Sequence, residues 1–300
     1  MPESLNRARS SVPERAPLRY LQTRFRFSRE WITRPVFGFL LAGVAVAATV
    51  WGGFTFVAFL IVGCVAAARE WHRMFARRNL WQPVLVTIFA LSGCLLTELF
   101  LRGAHGASVL VPYLFLCGGS MLQLPLALWR HESVIAHAGG ILYIGIPALS
   151  LLLLRLAALH PLWLVLMLLI VIWATDTGAL ITGRVIGGPK LAPSWSPNKT
   201  WAGFIGGIVL ACLGGIAVAG LAGARPFPTI AFSMMIAIAA QMGDLFESYI
   251  KRRIGVKNTG GLIPGHGGVL DRIDSSLFAA PLAAVLVLGL GLNPLTGVGP

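Results

Sequence analysis

The sequence predicts an all-α polytopic membrane protein of about nine transmembrane helices, N-terminus in the cytoplasm and C-terminus outside. Three observations carry that expectation. The 300 residues are 56 % hydrophobic and only 12 % charged, where a soluble domain carries about 25 % charged residues. Apolar runs long enough to cross a bilayer recur along the chain, whereas a β-barrel would show alternating segments of roughly 10 residues. Finally, with the N-terminus placed inside, the 24 Lys and Arg divide 21 to 3 between inner and outer segments. That asymmetry is what the positive-inside rule demands, and it favours an odd number of spans.

Taken in order, residues 1–35 hold eight Arg and three Glu and read as a basic cytoplasmic arm lying beside anionic headgroups. No small-residue cleavage site follows in a convincing context, so no cleavable signal peptide is expected. The apolar run from Val36 to Ala68 is too long for one span. Its Trp51-Gly52-Gly53 break predicts two short helices, about 36–50 and 53–68, followed by a polar turn from Arg69 to Asn79. Further spans are expected at about 82–101, 108–129 and 138–155, completing an N-terminal region over 36–160. The C-terminal region, 161–300, should carry spans at about 161–182, 202–222, 227–247 and 275–292. Between them lie two long polar loops, 183–201 and 244–275, both on the cytoplasmic side by the charge count.

The net charge of +13 is accounted for by the positive-inside rule and by anionic lipid or phosphate partners, with no nucleic-acid partner expected. Cys64, Cys94, Cys117 and Cys212 fall in apolar runs without CxxC spacing and read as small buried hydrophobes. His72, His105, His131, His137 and His160 lack metal-ligand spacing and read as interfacial and structural. There is no GxxxxGK[ST], GxSxG or HExxH, which disfavours a P-loop and nucleophilic hydrolysis.

The residues that could do chemistry sit in the two polar loops and at the helix ends beside them. Asp176 interrupts an apolar run, where a carboxylate faces either a wet site or a structural basic partner. Asp244, Ser248 and Lys251 recur at i, i+4 and i+7 and share a face if the eighth span continues past Asp244; alone, the spacing fits a solvated helix end equally well. Asp271, Asp274 and Ser275 repeat the pattern at the start of the last span. Two carboxylate-bearing helix ends, with Lys251, Arg252, Lys257, Arg272 and the glycines around His266 between them, suit a Mg2+-bound polyphosphate. Carboxylates are hard ligands, Lys and Arg neutralise phosphate, and glycines bring backbone N–H groups close to anions. His266 is the one histidine in a dense polar motif, and GHGG could be a phosphate loop or a tight turn. An anion transporter is the competing class, but its charges should be spread along a transmembrane path rather than gathered at one face.

At these residues the chain resembles the phosphatidate cytidylyltransferase, or CDP-diacylglycerol synthase, family. The family's C-terminal signature is met by Ser248, Lys251-Arg252, Lys257, Pro264, His266-Gly267-Gly268, Asp271-Arg272 and Asp274, with Asn258 where the family has Asp. SPNKTWAGFIGG, Ser196 to Gly207, is similar to a second family stretch but has Ala202 in place of Glu. DTGALITGR, Asp176 to Arg184, is similar to a third, with Leu180 where an aromatic is usual. Weaker echoes lie at Glu70-Trp71 and Tyr143 to Pro147, so the resemblance covers roughly 36–292. It implies Mg2+-dependent transfer of CMP from CTP to phosphatidate, or a related lipid phosphate, at the cytoplasmic face of a bacterial-type inner (plasma) membrane. A divergent paralogue acting on another lipid phosphate, or a catalytically silent lipid-binding member, is the alternative. Asp244 and Asp271 are then the expected metal ligands, with Asp274 beside them. Lys199, Lys251, Arg252, Lys257 and Arg272 are expected to bind triphosphate and headgroup, and His266 is counted with the catalytic residues. Asp176, Ser196, Thr200, Ser248, Gly267 and Gly268 complete the substrate-binding set. Membrane lipids and a second copy in a homodimer are the remaining expected partners.

Overall fold

The computed structural model describes residues 36–76, 80–101, 110–262 and 267–295. Helices α1 (Val36–Trp51), α2 (Gly53–Phe75), α3 (Trp81–Leu101), α4 (Leu110–Trp129) and α5 (Val134–Ala157) form the N-terminal half. The C-terminal half contains α6 (Pro161–Val185), strands β1 (Lys190–Ala192) and β2 (Ser196–Thr200), α7 (Trp201–Ala222), α8 (Pro226–Ile254) and α9 (Leu270–Ala284), which runs on as a π-helical turn, Val285–Gly289. Among the described residues, eight helices are long and apolar enough to cross a membrane, and α1 is a shorter apolar helix. Large apolar side chains such as Phe39, Val62, Phe89, Ile135, Leu221 and Phe227 face outward, an exterior that a bilayer solvates and water does not. The chain is an integral membrane protein.

α5 is the central post, touching α2, α3, α4, α6 and α9. Its apolar face, Ile141, Ile144, Leu149, Leu152 and Leu154, is fully buried. The break between α1 and α2 is pinned to its far end: Arg155 Nε donates to the Thr49 carbonyl at 2.9 Å. Gly52 adopts φ 66° there, and a Cβ on it would run into the Arg155 guanidinium.

α6 and α7 make the closest helix pair, for a reason visible in their glycines. A Cβ on Gly178 would lie 2.7 Å from the Gly206 carbonyl oxygen, and one on Gly207 would lie 2.9 Å from the Thr175 carbonyl. Small residues let membrane helices approach until backbones touch, which substitutes for a hydrophobic drive that lipid cannot supply. Thr182 reinforces the seam by donating to the Gly178 and Ala202 carbonyls.

Several expectations are corrected. The polar turn from Arg69 does not begin there: α2 continues to Phe75 with Glu70, Trp71 and His72 buried. Burial is tolerated because Trp71 and His72 find distant partners and one of the two Glu70 carboxylate oxygens does. Trp71 Nε1 donates to the Ala136 carbonyl at 2.8 Å. His72 pairs with His137 at 2.8 Å and with Thr87 at 2.7 Å. His137 in turn contacts Glu132, which Arg130 clasps through two nitrogens. His72 and His137 are therefore interior rather than interfacial, while His105 and the basic arm lie outside the described residues. Of the four cysteines expected to be buried, Cys64 and Cys94 are, whereas Cys117 is exposed and Cys212 half-buried, on helix faces turned outward. Second, loop 183–201 contains an antiparallel hairpin, β1 with β2. Third, α8 runs 29 residues to Ile254, so Asp244 sits inside a helix rather than at its end. The last helix begins at Leu270, five residues ahead of the expected span at Ser275, because Glu70 of α2 accepts from Leu270 N and the amides of Thr259 and Gly268 hold the Asp271 carboxylate.

Candidate active site

The polar ends of α6, α8 and α9 meet β2 and the start of α7 around a cavity of about 680 Å³, a size suited to a nucleotide-scale ligand. Four aspartates, Asp176, Asp244, Asp271 and Asp274, line it together with four cations, Arg184, Lys199, Lys251 and Arg272.

Each element delivers its side chains for a local reason. Thr200 ends β2 and caps α7, its hydroxyl accepting from Gly203 N at 3.1 Å, as an N-cap threonine does. That cap orients Lys199, one residue earlier, whose ammonium pairs with Asp244. One and two turns along α8 come Glu247 and Lys251. Lys251 Nζ bridges Glu247 at 3.0 Å and Asp271 at 2.8 Å. Asp271 stands in the first turn of α9, where a negative charge meets the positive helix end. It accepts backbone N–H bonds from Gly268 at 2.9 Å and Thr259 at 3.1 Å. A helical turn on, Ser275 donates to Asp176 on α6 at 3.2 Å, while Asp274 accepts from Ser275 N at 2.8 Å.

Of the expected site residues, Asp176, Lys199, Thr200, Asp244, Lys251, Asp271, Arg272 and Asp274 are brought together on the cavity wall. Arg252 is not on that wall. Its Nε donates to the Trp195 carbonyl at 3.2 Å, and Trp195 stacks edge-on against Tyr249, so Arg252 fastens the hairpin to α8. Ser196 lies in the hairpin and Ser248 beside the cavity face, neither lining it; a step of four residues turns Ser248 about 40° away from Asp244. Lys257 is exposed. Gly268 acts through its backbone N–H, and Gly267 takes φ 84° beside Asp271. His266 lies outside the described residues. The sequence reading passed over Glu247, whose side chain is fully buried against Lys251; a carboxylate four residues before Lys251 was the available signal. It also passed over Thr259, whose amide holds Asp271, and Gln241, which lines the cavity and donates to the Phe204 carbonyl at 3.2 Å; both contacts depend on chain folding rather than spacing.

The residues fit a hard divalent cation. Mg2+ takes one or two protein carboxylates and completes its shell with phosphate and water. Asp244 and Asp271 each hold an ammonium, the sign of counter-charge such an ion supplies. Among the described residues, no group of three His, Cys, Asp or Glu side chains could hold a metal ion by itself.

The two departures from the family pattern separate in space. Asn258 lines the charged cavity. Ala202 lines an almost wholly apolar groove with Ile181, Gly206 and Val209, along the α6–α7 seam.

A helical membrane bundle whose polar end gathers carboxylates and cations in one nucleotide-sized cavity defines a membrane-embedded handler of phosphate esters. The chain belongs to the cytidylyltransferase family, whose model matches residues 32–289. It is similar to the phosphatidate cytidylyltransferase of Brucella suis biovar 1 (strain 1330), 38 % identical over 253 residues, 83 % of this chain and 90 % of the relative. The enzyme of the same name from Rickettsia bellii (strain RML369-C) is 37 % identical over 160 residues, 51 % of this chain and 69 % of that one. That of Helicobacter pylori (strain ATCC 700392 / 26695) is 47 % identical over 114 residues, 38 % of this chain and 42 % of that one.

Proposed function

We propose that this chain transfers CMP from CTP to phosphatidate, yielding CDP-diacylglycerol and pyrophosphate. The observation that carries the reading is the cavity wall of four aspartates and four cations at the polar ends of membrane helices. The reaction must bring two polyanions together where one is anchored in lipid. The nucleophile, a phosphate oxygen of phosphatidate, is already anionic near neutral pH, so no strong general base is required. That oxygen bonds to the α-phosphorus of CTP, the α–β bridging bond breaks, and its electrons leave on pyrophosphate. Positioning and charge neutralisation are the main catalytic tasks, as in other phosphoryl-group transfers.

Arg184, Lys199 and Arg272 are placed to hold phosphate oxygens. Asp244 and Asp271 would hold Mg2+, with Asp274 and Asp176 beside them. The ion would neutralise triphosphate oxygens and the departing pyrophosphate. Lys251 keeps Asp271 oriented toward the cavity. The N-terminal arm and both polar loops belong on the cytoplasmic face of the inner membrane, where CTP is available. The charge asymmetry of 21 to 3 supports this orientation, and α1 counts as the ninth span. A homodimer is part of the same reading.

Purified protein given CTP, Mg2+ and phosphatidate should form CDP-diacylglycerol. Absence of product, with the Brucella suis relative active in parallel, overturns the assignment. Product formed only from another lipid phosphate identifies a changed acceptor.

A further inference from the structure

We propose that Glu70, on α2 in the N-terminal half, is a positioning residue for the reaction: it anchors the strap 256–262 and the start of α9 so that Asp271 faces the cavity. The inference rests on the reading of Asp271 as an active-site carboxylate.

Glu70 is 2 % exposed and does not line the cavity. Its Oε2 accepts from Leu270 N at 2.9 Å and from the Thr259 hydroxyl at 3.3 Å. Leu270 is the first residue of α9, and the preceding Val269 offers no side-chain cap. The first amides of a helix need outside acceptors. Here the acceptor is a carboxylate 200 residues away in sequence, with the charge sign that a helix N-terminus favours.

Thr259, which binds this carboxylate, and Gly268, which packs against it, both bind Asp271 directly. The Thr259 amide donates to Asp271, and so does Gly268 N. Gly260 and Gly268 close over the Glu70 side chain, since a Cβ on either would lie 2.8 Å from the Glu70 carboxyl carbon. Glu70 itself cannot wander. The next residue, Trp71, donates to the Ala136 carbonyl of α5 at 2.8 Å, and its ring packs 4.8 Å from that of Tyr143. The chain of constraint therefore runs from α5 through Trp71 and Glu70 to Thr259 and Leu270, and from them to Asp271. A buried, charged acceptor is a costly way to tie down a loop; what it provides here is a fixed aim for Asp271.

The test uses the full chain in nanodiscs, with Glu70→Gln, Thr259→Val, their combination, and Asp271→Asn. Glu70→Gln keeps the shape and one acceptor but removes the charge. Supporting groups of this kind cost about 10–100-fold in activity when removed. Glu70→Gln is expected to lower kcat by that factor while KM for CTP stays within about twofold. Amide hydrogen exchange should quicken across 255–262 and 268–271 and stay unchanged along α6 and α7. Thr259→Val should show the same pattern in milder form, and the double variant should be no worse than Glu70→Gln alone, because both cut one chain. Wild-type kcat in Glu70→Gln overturns the proposal. So does a fall in kcat with unchanged exchange in the strap, or with exchange raised over the whole chain, which would mark a merely structural residue. If Glu70→Gln does not fold, wild-type kcat and exchange in Thr259→Val overturn it. Asp271→Asn at wild-type kcat sinks the reading of the site instead, a result distinct from any behaviour of the Glu70 variants.

Discussion

Lys251→Met removes the ammonium that joins α8 to α9 while retaining most of the aliphatic stem. In the structure Lys251 is 13 % exposed, between a fully buried Glu247 and an Asp271 that is 8 % exposed, with N–O distances of 3.0 and 2.8 Å. At an effective dielectric near 20, each contact corresponds to a Coulomb attraction of about 5–6 kcal/mol, much of it offset by the desolvation of three ions. Removing the shared partner leaves two carboxylates facing each other without compensation. Breaking a buried pair in this way costs about 3–5 kcal/mol, and that is the expected loss in unfolding free energy. It would be measured by titrating the dodecylmaltoside-solubilised protein with SDS and following tryptophan fluorescence. Turnover of CTP should fall with it, since Asp271 loses its orienting cation. Glu247→Gln added to Lys251→Met should recover part of the stability, because one of the two stranded charges is then gone. An unfolding free energy for Lys251→Met within about 0.5 kcal/mol of wild type would refute the bridge as a structural element.

Two further outcomes follow from the geometry. Gly178→Leu drives a side chain against the Gly206 carbonyl, where a Cβ alone would sit at 2.7 Å; it should cost about 1–3 kcal/mol by overpacking in the same SDS titration, and wild-type stability would refute the backbone-to-backbone seam. In a cysteine-free background, Ser194→Cys in the exposed hairpin turn should react with a membrane-impermeant maleimide only from the cytoplasmic side. Leu159→Cys, at the opposite ends of α5 and α6, should react only from outside, and the reverse pattern would overturn the orientation.

What could be read from the chain and what could not divide along one physical line. Asp176 was visible because a carboxylate in an apolar run is conspicuous whatever its partner. Asp271, Asp274 and Ser275 were visible because helical spacing places them on one face without help from other segments, and the structure finds all three on the cavity wall. Glu70 and His72 misled because their polarity argued for a turn. Their partners, Leu270 at 200 residues and His137 at 65, are beyond any local pattern. The hairpin was missed because β1 has three residues and β2 begins with Ser-Pro, too short and too proline-rich for alternation to register. Ser248 was given to the cavity and Glu247 overlooked because a polar-loop reading of the segment from Asp244 ignores that α8 still has a buried side there.

The same line bears on the two positions where the chain departs from its family pattern. Ala202 lies on the apolar groove of the α6–α7 seam, away from the four aspartates. An alanine there leaves that groove without a charge, and Ala202 is not on the wall of the phosphate cavity. Asn258 does line that cavity, within reach of the Gly267 turn beside Asp271. Its amide keeps hydrogen-bonding capacity and lacks only the negative charge. In a wall that already holds four aspartates, one fewer anion lowers the repulsion that an incoming triphosphate must overcome. Neither substitution removes a cation or a carboxylate from the set that Lys199, Lys251, Asp244 and Asp271 form. The departures are therefore compatible with nucleotidyl transfer, and any functional effect of the pair should trace to Asn258.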